Sequence, residues 1–368
     1  MRPAFASTKS AAAFAFFLLL LLLSPVLVGK KLLPPREEIY SGMTWRYGPF
    51  SYLHQQIFEE TGAIDIAFVG SSRIWAGIDT PYVQEELTKR LGYPAVVRTI
   101  GWSWLGFDAL YFITQDLLEH RKVKMIVFDD EYWPAPHVAA THWFRFAENY
   151  AVLDKMPVSI QANYYFAAIL GIPRNLLSSI RSNFPEEQWL PGKNHWETFY
   201  RSQNSKERLG ALTAERGMSL KEPLVPFAPP IKGQSSAVRI YSPDTKDAFR
   251  YSGPVTPPWQ LQFASKFATL AMEHQVKLVF LHLQPPFSDN ETNNPYIQER
   301  ECWPEKFGTK ITMVGIPPAK LFSGILPEDF QKLFYTPDYC HFNQNGQAFF
   351  TKIITPTLLE IYEKQRTN

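Results

Sequence analysis

The chain has 368 residues, of which 45% are hydrophobic, enough for a sizeable core built as one domain with a large insertion or as one and a half domains. A formal net charge of +2 argues against nucleic-acid binding driven by bulk charge. The aromatic share of 15% is high, and many of the 10 tryptophans lie in loop-like sequence. That distribution suits a sugar-lined or membrane-proximal cleft, although core packing is its commoner explanation.

The first element is the apolar run 11–29, 19 residues broken only by Ser24 and Pro25 and preceded by Arg2 and Lys9. At about 1.5 Å per residue it just spans a bilayer core of about 30 Å. A cleaved signal peptide is the competing reading. The six-leucine centre is longer than a typical signal core and no Ala-x-Ala site precedes Lys30, so an uncleaved anchor over residues 1–31 is expected. Both readings export the rest of the chain. Residues 32–61 then read as a stalk and an amphipathic lead-in, with Tyr40, Trp45, Tyr47 and Phe50 as packing groups.

From residue 62 the pattern changes. Residues 64–69 form a mostly apolar, partly β-branched strand that runs into Gly70-Ser71-Ser72. A helix follows over 81–91, capped by Asp79 or Thr80. A second strand, 95–100, ends at Gly101, and a helix over about 107–120 leads to a third strand, 123–128, which ends in Asp129-Asp130-Glu131. This β-α-β-α-β rhythm with short connections predicts a parallel, doubly wound α/β sheet. Residues 132–257 lose the rhythm apart from a helix over 159–170, and read as an insertion forming a lid or a partner surface. The pattern resumes with a helix over 259–274, a strand over 276–283 and a final helix over about 344–363.

Chemistry gathers at two places. Serine-based acyl transfer needs an exposed hydroxyl, a histidine base, a carboxylate to fix its tautomer and donors for the oxyanion. Gly70-Ser71-Ser72 offers the hydroxyl at a strand end, where α/β sheets collect ligands, and Asp338-x-x-His341 offers acid and base on one loop ahead of a helix. Each alone has a plain structural reading, as a strand-ending turn and as a capping aspartate beside a surface histidine.

Together they resemble the SGNH (GDSL-like) hydrolase superfamily. Phe68-Val69-Gly70-Ser71-Ser72 looks like its first block, and Asp338-Tyr339-Cys340-His341, with the Asn and Gly that follow in Asn343-Gln344-Asn345-Gly346, is similar to its closing block. The resemblance covers residues 64–128 and 276 to the end, and implies an SGNH/flavodoxin-like three-layer fold. It implies Ser72 as nucleophile, His341 as base and Asp338 as orienting acid, with the N–H groups of Ser72 and Gly101 as the oxyanion hole. Ser71 stands where the family has aspartate, and the Gly-x-Asn-Asp third block is missing. Membrane-anchored relatives look closer: the D-alanine-transfer proteins of teichoic acid synthesis and the SGNH proteins of polysaccharide O-acetylation. Those relatives imply an extracytoplasmic acyltransferase or esterase acting on a cell-surface glycan or another acyl acceptor, beside a multi-pass membrane acyltransferase. The missing third block supports a second reading, a catalytically weak scaffold that binds a glycan or such a partner.

Other residues are open to more than one role. Arg73, and Asp130 with it, are candidates for substrate binding, while Arg73 equally suits an ion pair with Asp129 or Asp130, the preferred reading. Ser103 in Gly101-Trp102-Ser103-Trp104 is a rival nucleophile that misses the Gly-x-Ser-x-Gly elbow. Asp129, Asp130, Glu131 and His137 are better read as a solvated strand end than as metal ligands, because consecutive carboxylates alternate faces. His282 reads as a hydrogen-bonded core residue. No nucleotide-binding glycine loop appears, and no cofactor is expected. Cys302 and Cys340 fit an oxidising compartment, and if paired they close a loop of about 40 residues worth roughly 4 kcal/mol on the chain-entropy model. Two buried thiols are the alternative.

Overall fold

A strand buried at every position organises the molecule. In the computed structural model β1 (Ile64–Gly70) is buried throughout, as its apolar composition requires of a strand covered on both faces. The structure describes residues 5–28, 37, 40, 50–101, 106–129, 135–136, 140, 150–181, 226–231, 233–241, 251–254, 256–282, 297–300, 311–316, 318–334 and 341–367. Beside β1 lie β2 (Val97–Gly101) and β3 (Val123–Phe128), both parallel to it. The main sheet has the order β2-β1-β3-β6-β8-β4, with β6 at Lys277–Leu281, β8 at Thr312–Gly315 and β4 at Arg239–Tyr241. Only β4 runs antiparallel, at the edge beside β8. The strands β5 (Tyr251–Pro254) and β7 (Ile297–Arg300) form a separate antiparallel pair.

Alternation of side chains along the strands divides the core in two. On one face Ala67, Val69, Ile126, Phe128, Leu278 and Phe280 join one cluster; on the other Ile66, Phe68, Met125, Val127, Val279 and Leu281 join a second. Both faces are covered by helices, so the fold is three-layered α/β on a mixed, mostly parallel sheet. The first face packs against α4 (Phe107–His120) and α6 (Pro258–Glu273); the second against α2 (Ser72–Gly77), α3 (Thr80–Leu91) and α7 (Gln344–Thr367).

The local signals worked as physical chemistry predicts. Asp79 caps α3 by accepting from the Tyr82 N–H, and Gly92 ends it with φ 73°, in the left-handed region that glycine adopts without strain. The expected helix over 159–170 is the first half of α5 (Val158–Arg181). It packs on the core: Tyr164 is fully buried and donates to Asp108 Oδ2 at 2.8 Å. Gln260 Nε2 donates to the other Asp108 oxygen at 3.2 Å, so α4, α5 and α6 meet at one buried polar node. The strand β4 also comes from within the expected insertion, yet it completes the main sheet.

At the amino end of the sheet a second polar node forms. Asp65, buried on β1, accepts from Lys124 Nζ at 2.7 Å, Tyr362 Oη at 2.6 Å and the Val96 N–H at 2.8 Å. Burial alone would raise the Asp65 pKa, but these donors outweigh it and hold the carboxyl below its ordinary value. Tyr362 moves the other way: burial first, then the Asp65 carboxylate, push its hydroxyl up to about 12.

The lead-in is anchored by Tyr40, fully buried, whose hydroxyl donates to Asp116 Oδ2 at 2.7 Å. Trp45 and Tyr47 lie outside the described residues. The apolar N-terminal run forms helix α1 (Thr8–Val28), whose only charge is Lys9. Its side chains are described as far as Ser24, and among the described residues no helix is long and apolar enough to cross a membrane.

Candidate active site

The chain leaves β1 and crosses to β2 on one side, then returns to β3 on the other. The strand order reverses at the carboxyl ends of β1 and β3, the place where open α/β sheets bind ligands. Four of the described polar residues, Ser71, Ser72, Asp129 and His341, converge there.

Ser72 is the first residue of α2, and its Oγ lies 2.8 Å from Nε2 of His341, 269 positions later in the chain. Both are buried, at 3% and 8% exposure. Ser71 caps α2: its Oγ accepts from the Arg73 N–H at 3.0 Å and donates to Asp129 Oδ2 at 3.0 Å. Asp129 follows β3 and is completely buried, which corrects the expectation of a solvated strand end there. The reason is Gly70. A Cβ on Gly70 would fall 2.5 Å from Asp129 Oδ1 and 2.5 Å from Ile74 Cγ1, so the missing side chain is the space that the carboxyl fills. The Ser71 hydroxyl is thus a partner of Asp129, and the side chain of Arg73 beside it is half-buried. Gly101 ends β2 in register with Gly70, which puts its backbone at the same end of the sheet as Ser72.

His341 is held by the start of α7. Asn343 Oδ1 accepts from the N–H groups of Asn345 at 2.9 Å and Gly346 at 3.2 Å, capping the helix. Its Nδ2 donates to the carbonyls of Lys332 and Phe334, tying the cap to the preceding turn. Phe342 stacks between Phe334 and Phe350, with ring centroids 4.6 and 5.6 Å away. Gly346 lets the helix start so close: a Cβ there would lie 2.2 Å from the Leu333 carbonyl oxygen.

One helix face then joins the two halves of the pair. Gln347 Nε2 donates to the carbonyls of Trp75 at 3.0 Å and Ile78 at 3.1 Å. One turn later Thr351 Oγ1 donates to the Gly77 carbonyl at 3.2 Å and accepts from the Asp79 N–H at 2.9 Å. The end of α2 is thus capped by α7, the helix that begins three residues after His341. Sequence reasoning missed the burial of Asp129 and the roles of Gln347 and Thr351. Only the i, i+4 row of polar residues Gln347, Thr351 and Thr355 along a largely apolar helix hinted at the last two.

Asp338, Asp130, Glu131, His137, Ser103, Cys302 and Cys340 lie outside the described residues, as do the readings that rest on them. His282 is buried after β6; its backbone N–H donates to the Val314 carbonyl at 2.8 Å and its ring lies parallel to Phe280. Among the described residues no group of three His, Cys, Asp or Glu could hold a metal ion. No family model and no curated protein matches the chain.

Proposed function

We propose that this is a membrane-anchored, extracytoplasmic SGNH-like serine enzyme, an O-acyltransferase or esterase acting on acyl esters of a cell-surface glycan or similar acceptor. The observation that carries the reading is the 2.8 Å approach of Ser72 Oγ to His341 Nε2 at the topological switch point. In this scheme His341 Nε2 takes the Ser72 hydroxyl proton as Oγ attacks the acyl carbonyl carbon. The N–H groups of Ser72 and Gly101 receive the oxyanion, and Asp338 orients the imidazole. The leaving alcohol takes the proton from His341. A sugar hydroxyl or water, deprotonated in turn by His341, then attacks the acyl-serine ester and restores the Ser72 hydroxyl. The anchor rests on the sequence run 11–29 and its lack of charge.

Labelling with a fluorophosphonate tests the reading. We expect one adduct, on Ser72, lost in Ser72→Ala and slowed by about 100- to 10,000-fold in His341→Ala. A folded protein that takes no label, or a Ser72→Ala variant that labels as well as the parent, overturns it. The 3% exposure of Ser72 favours a second reading, a scaffold that binds a glycan or a membrane acyltransferase without itself carrying the acyl group. Labelling of Ser72 together with loss of acylation in cells on Ser72→Ala sinks that alternative.

A further inference from the structure

Helix α1 is apolar around its whole circumference yet stays out of the core: Phe14, Phe16, Phe17, Leu19 and Leu21 are all exposed, Phe17 to 68%. An all-round apolar helix is stable only inside a core or in lipid. It is not isolated, because it packs on α5, where Tyr165 Oη donates to the Leu22 carbonyl. The first 16 residues of α5, 158–173, carry no charge. Along them Tyr164 points into the core, while Phe166, about 200° further round the helix, is 56% exposed and Val158 is more exposed still.

We infer that the outer face of α5 is a second membrane contact, lying in the bilayer interface beside α1 and turning the carboxyl end of the sheet toward the membrane. The occupant is lipid because the exposed residues of α5, Val158 and Phe166 beside the uncharged Ser159 and Asn163, lie on a helix that packs on the apolar α1. The depth agrees. Leu22 is six residues from the end of α1 at Val28, about 9 Å along the axis, within the zone that interfacial helices and tyrosines occupy. The orientation follows from the Tyr164–Asp108–Gln260 node. Asp108 opens α4 just after β2 ends at Gly101, and Gly101 is in register with Gly70 ahead of Ser71 and Ser72. The node therefore pins α5 to the same end of the sheet as the serine–histidine pair.

The inference rests on the membrane-anchored reading, and its test separates the two. Photoreactive p-benzoylphenylalanine is placed at Phe17, at Phe166 or at Tyr93, which is exposed at the turn after α3, at the opposite end of the sheet. The full chain is reconstituted in vesicles of phosphatidylethanolamine and phosphatidylglycerol containing radiolabelled phospholipid, then irradiated. We expect lipid adducts from positions 17 and 166 and none above background from position 93. Adducts from position 17 alone overturn the contact through α5 and leave the anchor standing. Equal adducts from 166 and 93 overturn the orientation. No adduct at any position overturns both the anchor and the inference.

Discussion

Gln347→Met tests whether α7 holds the serine and the histidine together. The replacement keeps the length and apolar bulk of the side chain and removes the amide that serves the Trp75 and Ile78 carbonyls. Gln347 is buried, so water does not readily replace it. Each hydrogen bond is worth about 1 kcal/mol net, and a buried carbonyl stripped of its donor costs about 1–3 kcal/mol. With two carbonyls involved, the expected loss is about 2–4 kcal/mol. It is read from the urea midpoint at unchanged m. Because the lost bonds cap the end of α2, whose first residue is Ser72, fluorophosphonate labelling should slow in conditions where the variant is still folded. Thr351→Val removes the neighbouring bonds to Gly77 and Asp79. The double variant should fall short of the sum of the single losses by about 0.5 kcal/mol or more, because the two share one target. A stability within about 0.5 kcal/mol of the parent, or strict additivity with Thr351→Val, would mean that α7 does not brace the end of α2.

Gly346→Ala should be worse for the site than for most of the fold. Its Cβ meets the Leu333 carbonyl and the Phe342 ring at 2.2 and 2.4 Å, so the turn carrying His341 must shift; a cost of about 1–3 kcal/mol with loss of Ser72 labelling is expected from melting and labelling run together. Ser71→Ala removes a helix cap and a partner of Asp129, for about 0.5–2 kcal/mol, whereas Ser71→Thr should retain most of it in the same denaturation assay. Two members of the amino-end node titrate in opposite directions. The Asp65 pKa is depressed, so its stabilisation is complete above the ordinary carboxylate range and lost as pH falls through the folded value; the stability gap between parent and Asp65→Asn should close below about pH 4. The Tyr362 pKa is raised from 10.0 to about 12, so its contribution is complete below pH 10 and disappears as pH rises through 12, and the gap to Tyr362→Phe should narrow over that window in alkaline unfolding curves.

Local sequence carried a large part of this architecture. The apolar runs of β1 and β3 and a cap at Asp79 or Thr80 are determined by residues within a few positions of one another, so periodicity and capping were enough to read them, and the structure chose Asp79. The same holds for Ser72 and His341 as candidates, since a strand ending in Gly-Ser-Ser and a histidine just ahead of a helix are both local patterns. Other elements depend on distant partners. β4 and β8 are three and four residues long; strands that short have no period to read, and only pairing to each other and to β6 defines them. Asp129 sits in a run of three carboxylates that reads as solvent-facing, and becomes buried only because Gly70, on the neighbouring strand, leaves room for it. Gln347 is an ordinary helical polar residue until α2 packs beneath it. Local sequence was enough to place the carboxyl ends of β1, β2 and β3 to within a residue and to single out the polar side chains that follow them, because backbone conformation and burial pattern are local. Tertiary structure decided which of those side chains meet, because the 2.8 Å between Ser72 and His341, 269 residues apart in the chain, is set by how α2 and α7 pack.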